Sequence, residues 1–163
     1  MSVVLDRTGI EGLIPHRDPF LLIDRVTELE PGVRCVAEHD FTGEEWYLKG
    51  HFPGNPIVPG VILTESMAQA ATVGAMALPD YREGIGLFAG IEDMKFKRIV
   101  RPGDTGRFTA TFEKMRRGFA RVQVTAHVGD ELAAEGTILA IFQSVPTVSS
   151  SGGPQPADKA KAS

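Results

Sequence analysis

Apolar positions change their period along this chain, and the changes locate its elements. Val33, Cys35, Ala37, His39 and Phe41 alternate with Arg34, Glu38 and Asp40, the period of two that turns one side of a strand inward. Val61 to Leu78 instead places Val61, Ile62, Leu63, Met67, Ala68, Ala71, Val73 and Met76 on most faces of a helix that Pro79 stops. A helix apolar nearly all round belongs inside a fold. Leu87–Phe96, Gly106–Lys114, Ala120–Val128 and Glu131–Phe142 read as strands, separated by Pro102-Gly103-Asp104, Arg117-Gly118 and Gly129-Asp130. Turns this short make antiparallel neighbours. Nearer the N-terminus, Gly9–Ile14 allows a short helix, Phe20–Val26 a short strand or buried turn, and Thr42-Gly43-Glu44-Glu45 has capping-box spacing ahead of Trp46 and Leu48. One buried helix and about five strands predict an α+β layer arrangement in which the sheet covers the helix.

Composition narrows the class. Of 163 residues, 42% are hydrophobic and 23% charged, the balance of a soluble globular domain. No apolar run approaches the ~20 residues that span a bilayer, and Met1–Ile10 has no export-signal pattern, so a cytoplasmic protein without a membrane role is expected. The single cysteine, Cys35, excludes an intramolecular disulfide and fits a small apolar strand residue. From about residue 143 onward the chain turns to Ser, Pro, Gly, Ala and Lys. The expected organisation is one domain over 1–143 and a disordered tail over 144–163. The formal charge of −4 argues against nucleic-acid binding, yet nine Lys and Arg stand against only Asp104 and Glu113 between Lys95 and Arg121. Such a stretch either steers an acidic partner or is simply a set of solvent-facing charges on strands.

The segment His51-Phe52-Pro53-Gly54-Asn55-Pro56-Ile57-Val58-Pro59-Gly60 carries three prolines at a spacing of three, which excludes regular helix and central strand and leaves a stiff loop. The helix that follows presents unpaired N–H groups in its first turn. Gly60, at that point, lets a ligand oxygen approach closely where the helix dipole adds positive character. His51 precedes the loop and Glu65 lies one turn into the helix, so both can reach the helix mouth. An unperturbed imidazole (pKa ~6.5) is a base at neutral pH, and desolvation among apolar neighbours favours the protonated form of a carboxyl. Removing H and OH from adjacent carbons needs such a base and acid. Structural roles stay open: a histidine beside Phe52 can simply pack, and Gly60 can simply admit the chain to a helix. A metal site is not expected, since His16, His39, His51 and His127 lack ligand spacing.

In these residues the sequence resembles the beta-hydroxyacyl-[acyl-carrier-protein] dehydratase family, FabZ type. The likeness is carried by Pro15-His16-Arg17-Asp18-Pro19-Phe20-Leu21-Leu22-Ile23-Asp24, by Gly50-His51 through Gly60-Val61, by Glu65 with Met67-Ala68-Gln69, and by Phe96-Lys97-Arg98 with Pro102-Gly103-Asp104. It implies a hot-dog fold, a long central helix wrapped by a curved antiparallel sheet, and no cofactor. It further implies a homodimer whose sites each take His51 from one subunit and Glu65 from the other, with a trimer of dimers as a common higher assembly. The implied reaction is dehydration of (3R)-3-hydroxyacyl-[acyl-carrier-protein] to the trans-2-enoyl product, in fatty acid or related polyketide biosynthesis. His51 then removes the C2 proton, Glu65 protonates the departing hydroxyl, and Gly60 holds the thioester oxygen with Phe52 and Val61 beside it. Phe88, Leu87 and Met67 would line the acyl tunnel, and Lys95, Lys97, Arg98 and Arg101 would dock the carrier protein. Val58 and Leu87-Phe88 depart from the family's frequent Met and Tyr. Two alternatives on the same fold are an acyl thioesterase and a non-catalytic partner subunit.

Overall fold

The computed structural model describes residues 2–144. A short helix α1 (Arg7–Glu11) leads to strands β1 (Arg25–Glu30) and β2 (Arg34–Asp40), then a 3-10 turn (Trp46–Leu48), the long helix α2 (Gly60–Met76) and a second 3-10 turn (Pro79–Tyr81). Strands β3 (Gly84–Phe96), β4 (Thr105–Arg116), β5 (Phe119–Val128) and β6 (Glu131–Ser144) complete the order. All six strands form one antiparallel sheet in the order β1-β2-β4-β5-β6-β3. The expected β4–β5–β6 meander is present. The strand that leaves the helix, β3, crosses to the far edge and pairs with β6, so β2 meets β4 directly. Helix α2 packs chiefly against β4, β2 and β5, the α+β hot-dog arrangement.

The differences from the pattern have local causes. The first helix begins earlier because Asp6 accepts from the Gly9 N–H at 2.9 Å and caps it. Phe20–Val26 divides into a buried turn at Leu21, Leu22 and Ile23 and the start of β1, which raises the strand count to six. Val33 is outside β2: its N–H closes a turn on the Glu30 carbonyl at 3.0 Å and its side chain is half exposed. Glu45 reaches back to the Thr42 N–H at 2.7 Å, but this contact caps no helix: the 3-10 turn starts at Trp46 with Glu45 itself at the N-cap position and no side-chain cap. Strand β6 extends to Ser144, one residue past the expected domain end. Apart from Ser144, the tail expected over 144–163 lies outside the described residues.

Helix α2 is buried along nearly its whole length, and three of its hydroxyls are satisfied from within. The hydroxyls of Thr64, Ser66 and Thr72 donate to the carbonyls of Gly60, Ile62 and Ala68, one turn back on the same helix. Glycine inside a helix ordinarily costs about 0.5–1 kcal/mol relative to alanine, so Gly74 needs a packing reason. A Cβ there would stand 2.8 Å from the Phe112 ring and 3.3 Å from Cys35 Cβ. The missing side chain is what lets the helix backbone lie close to β2 and β4. Cys35 is fully buried at this contact, and burial pushes its thiol up to about 12.

A polar cluster ties the N-terminal segment to the sheet. His39, expected on the inward side of its strand, is buried between two carboxylates. Its Nδ1 is 3.0 Å from Asp24 Oδ2, though poorly aligned as a hydrogen bond, and its Nε2 is 3.7 Å from Glu45 Oε1. Asp24 also takes the Asp40 N–H at 2.8 Å and the Arg7 guanidinium at 3.2 Å. Burial alone would raise the Asp24 carboxyl; His39, the Asp40 amide and Arg7 together outweigh it and hold the group below its ordinary value. Arg25 holds Asp40 down to about 2, helped by the Thr105 hydroxyl.

Two outcomes follow from this packing. Gly74→Val lowers stability by about 1–3 kcal/mol, measured as a shift in the urea midpoint. Because Asp24 and Asp40 have depressed folded-state values, their stabilisation is complete above the ordinary aspartate range and is lost as pH falls from about 4 toward about 2. In urea titrations at neutral pH and at pH 3, Asp40→Asn shrinks that difference by about 1 kcal/mol or less, since this pair is half exposed.

Candidate active site

The proline-braced segment folds as a loop that closes on itself and on the sheet. His51 and Ile57 meet twice: the Ile57 N–H donates to the His51 carbonyl at 2.9 Å, and His51 Nδ1 lies 2.8 Å from the Ile57 carbonyl oxygen. A carbonyl only accepts, so Nδ1 carries the hydrogen and the neutral ring's lone pair is on Nε2. The Phe52 ring stacks on the imidazole at 4.1 Å. At the loop's far end the Val58 N–H donates to the Val100 carbonyl at 2.9 Å. Arg101 donates to Asn55 Oδ1 at 2.7 Å and reaches the Pro56 carbonyl at 3.3 Å. Asp104 in turn accepts from the Arg101 N–H at 3.0 Å and from Arg98 at 2.9 Å, and Arg98 holds its carboxyl below the usual range. The Pro102-Gly103-Asp104 turn therefore braces the loop that presents His51.

His51 lines a cavity with Gly60, Leu63, Phe96 and Val100. Gly60 opens α2, and among the described residues no acceptor meets its N–H. A Cβ on Gly60 would stand 3.0 Å from the Phe96 ring, so the position needs glycine for packing as well as for access. Val61 is 74% exposed and points away from the core.

Glu65 lines a different cavity of the same chain, together with His16, Ala68, Thr72, Leu87 and Phe88. Its side chain is 18% exposed. Its neighbours on the helix separate: Ile62, Leu63 and Met67 are buried in the core and Val61 is in solvent, so the carboxyl is not enclosed by them. It is held by polar groups that sequence reasoning gave no role. Gln69, fully buried, donates to Glu65 Oε1 at 3.0 Å and to the Phe20 carbonyl at 2.8 Å, and accepts from the Leu22 N–H at 2.8 Å. His16 Nε2 lies 3.5 Å from the same Oε1. The spacing of four between Glu65 and Gln69 was a readable signal; His16 has none, because only the fold brings it there.

Of the remaining expected site residues, Leu87 and Phe88 lie on β3 at the Glu65 cavity, whereas Met67 is fully buried and is not among that cavity's lining residues. Three of the nine cations in the basic stretch are matched by acids. Lys97 pairs with Glu135 at 2.6 Å, Arg98 with Asp104 and Glu131, and Arg121 with Glu92 and Glu113. Lys95 makes no ion pair among the described residues. Among those residues no cluster of three His, Cys, Asp or Glu is placed to hold a metal, and no helix is long and apolar enough to cross a membrane.

Residues 14–137 match the FabA-like domain. The chain is 53% identical over 130 residues to the 3-hydroxyacyl-[acyl-carrier-protein] dehydratase FabZ of Chloroflexus aggregans, covering 80% of this chain and 90% of that protein. It is 43% identical over 135 residues to the FabZ of Moorella thermoacetica, covering 83% and 94%. Among solved structures, the dehydratase heterocomplex ApeI:P from Xenorhabdus doucetiae superposes with a TM-score of 0.70 at 14% identity, over 82% of this chain and 90% of that one. A sigma28-regulated virulence protein from Campylobacter jejuni gives 0.65 at 14% identity, over 83% and 89%. These two likenesses establish the fold, and the sequence matches establish the lineage: this chain belongs to the FabA-like family, among the FabZ-type 3-hydroxyacyl-[acyl-carrier-protein] dehydratases.

Proposed function

We propose that this chain is a cytoplasmic hydro-lyase that converts (3R)-3-hydroxyacyl-[acyl-carrier-protein] to the trans-2-enoyl thioester in fatty acid biosynthesis, acting as a homodimer with shared sites. The observation that carries the reading is the division of labour within one chain. A base with its lone pair on Nε2 sits beside an unpaired helix N–H, and a carboxyl sits in a separate cavity on the same helix. Neither cavity is a complete site alone.

The edge strand supports the pairing. β3 has β6 on one side only, and it exposes Leu87, Phe88, Ile91 and Phe96. An unpaired, apolar edge invites another strand. A second copy joined along β3 would carry its His51 loop, which packs beside Phe96, toward the Glu65 cavity, which Leu87 and Phe88 line. Assembly of three such dimers into a hexamer is part of the same proposal.

In the reaction His51 Nε2 takes the C2 proton, the C2–H electrons form the C2=C3 bond, and the C3–O bond breaks as Glu65 gives its proton to the departing hydroxyl, releasing water. The Gly60 N–H receives the negative charge that builds on the thioester oxygen, with the helix dipole behind it. The acyl chain lies between Leu87 and Phe88. The carrier protein, which brings an acidic surface, docks on the basic side of this edge. There Lys95 is the group free to engage it; Lys97, Arg98 and Arg101 must first share their present partners.

Supplied with a 3-hydroxyacyl carrier-protein substrate, the wild type forms enoyl product, and His51→Ala and Glu65→Ala each lower kcat by about 10²–10⁴. Full activity in both variants, or release of free thiol without enoyl product, contradicts the reading. Lys95→Glu raises KM for the carrier-protein substrate several-fold at low salt and leaves KM for a pantetheine thioester unchanged, and added salt narrows the difference. Equal effects on both substrates would remove Lys95 from the docking surface.

A further inference from the structure

The geometry points to His16 as a positioning residue that, with Gln69, fixes which oxygen of Glu65 carries the acid proton. This inference rests on the dehydratase reading and concerns the acid half of that site.

Both polar contacts of the Glu65 carboxyl fall on one oxygen. Gln69 Nε2 donates to Oε1 at 3.0 Å and His16 Nε2 stands 3.5 Å from Oε1, while among the described residues no donor meets Oε2. Gln69 cannot turn its amide round, because its oxygen accepts from the buried Leu22 N–H and its nitrogen also donates to the Phe20 carbonyl. It therefore offers Oε1 an N–H and nothing else. His16 Nδ1 is buried without a partner, so a hydrogen placed there would be an unpaired donor. Placing it on Nε2 gives it the only acceptor in reach, Oε1. The contact is long for a hydrogen bond, as contacts that tighten on substrate binding often are.

The Gln69 N–H donated to Oε1, with the His16 Nε2 N–H 3.5 Å away, makes that oxygen the carbonyl oxygen of the acid. The transferable hydrogen then belongs on Oε2, the oxygen without a protein donor, and no rotation is needed before transfer. When the proton leaves, the same two N–H groups already face the new carboxylate and stabilise it, so they strengthen the acid as well as orient it. No other titratable side chain competes. β3 and β6 contribute Gly86, Leu87, Phe88, Ile138, Ala140 and Phe142 to this cavity. The neighbouring Arg17 is turned away, donating to the carbonyls of Ile14, His16 and Glu11. In the proposed dimer the second copy would add its His51 cavity, which Lys97 and Arg98 also line.

The test is the pH profile of kcat for His16→Leu and His16→Gln, the second of which keeps an N–H donor at the ε position. Circular dichroism and gel filtration accompany it. In His16→Leu the plateau falls about tenfold, a fraction of the ~10²–10⁴ that a positioned acid contributes. Its basic limb moves to higher pH, because the carboxylate left after proton transfer has lost one of its donors. His16→Gln restores both. A folded His16→Leu whose profile overlays the wild type, with a change confined to KM, overturns the inference and leaves His16 as a tunnel wall. So does a His16→Gln that is folded and no better than His16→Leu. Should His16→Leu not fold, His16→Gln decides alone: a profile with the wild-type basic limb supports the assignment, and a displaced limb overturns it. Activity in Glu65→Ala would instead sink the reading on which the inference rests, so the two failures are distinguishable.

Discussion

Everything in this fold is arranged around a helix that water cannot surround. α2 carries apolar or self-satisfied side chains on nearly every face, so its burial needs a sheet long enough and curved enough to enclose it. Six strands supply that cover, and Gly74 lets the helix backbone come close to β2 and β4. Burial of the shaft leaves its first turn as the open end, where unpaired N–H groups and the positive end of the dipole are available to a ligand. In the proposed site the Gly60 N–H acts at that end, and further along the shaft Glu65, Ala68, Ala71 and Thr72 meet the second cavity.

The two groups proposed to transfer protons are held by different means. His51 depends on a loop stiffened by proline and pinned from outside by Val100 and Arg101, and its tautomer follows from one backbone carbonyl. Glu65 depends on the helix and on Gln69, whose three hydrogen bonds also anchor the Phe20–Leu22 turn. One buried amide thus couples the acid to the N-terminal segment. The ion pairs of Arg98, Lys97 and Arg121 are spread over half-exposed strand surface and contribute little to stability individually. Lys95, which makes no ion pair among the described residues, stands across the strand from Glu135 at the Phe96 edge.

Much of this was legible in the sequence because periodicity and proline chemistry act locally. The helix, the turns of the β4–β5–β6 meander and the stiff loop all follow from neighbours in the chain; the roles given to His51, Gly60 and Glu65 rest on the proposal, and within one chain Glu65 faces a different cavity from the other two. What was not legible depends on contacts between distant segments. Nothing in Gly84–Phe96 announces that it crosses to the far edge, since edge position is decided by which strands pair, not by composition. The alternation that placed His39 inward gave no sign of Asp24 and Glu45 around it. The excess of cations in the Lys95–Arg121 stretch is reduced in the fold by Glu92, Glu131 and Glu135, which pair with Arg121, Arg98 and Lys97. His16 reaches Glu65 only because the segment before β1 folds over the helix.

The central claim, that base and acid at each site come from different subunits, is tested most directly by mixing. His51→Ala and Glu65→Ala proteins are each purified, combined under conditions that let subunits exchange, and assayed for enoyl formation. The account predicts that two inactive preparations regain activity together, because a mixed dimer contains one site with both groups intact. A mixture in which subunit exchange is demonstrated and dehydration stays at the level of the separate variants would contradict it.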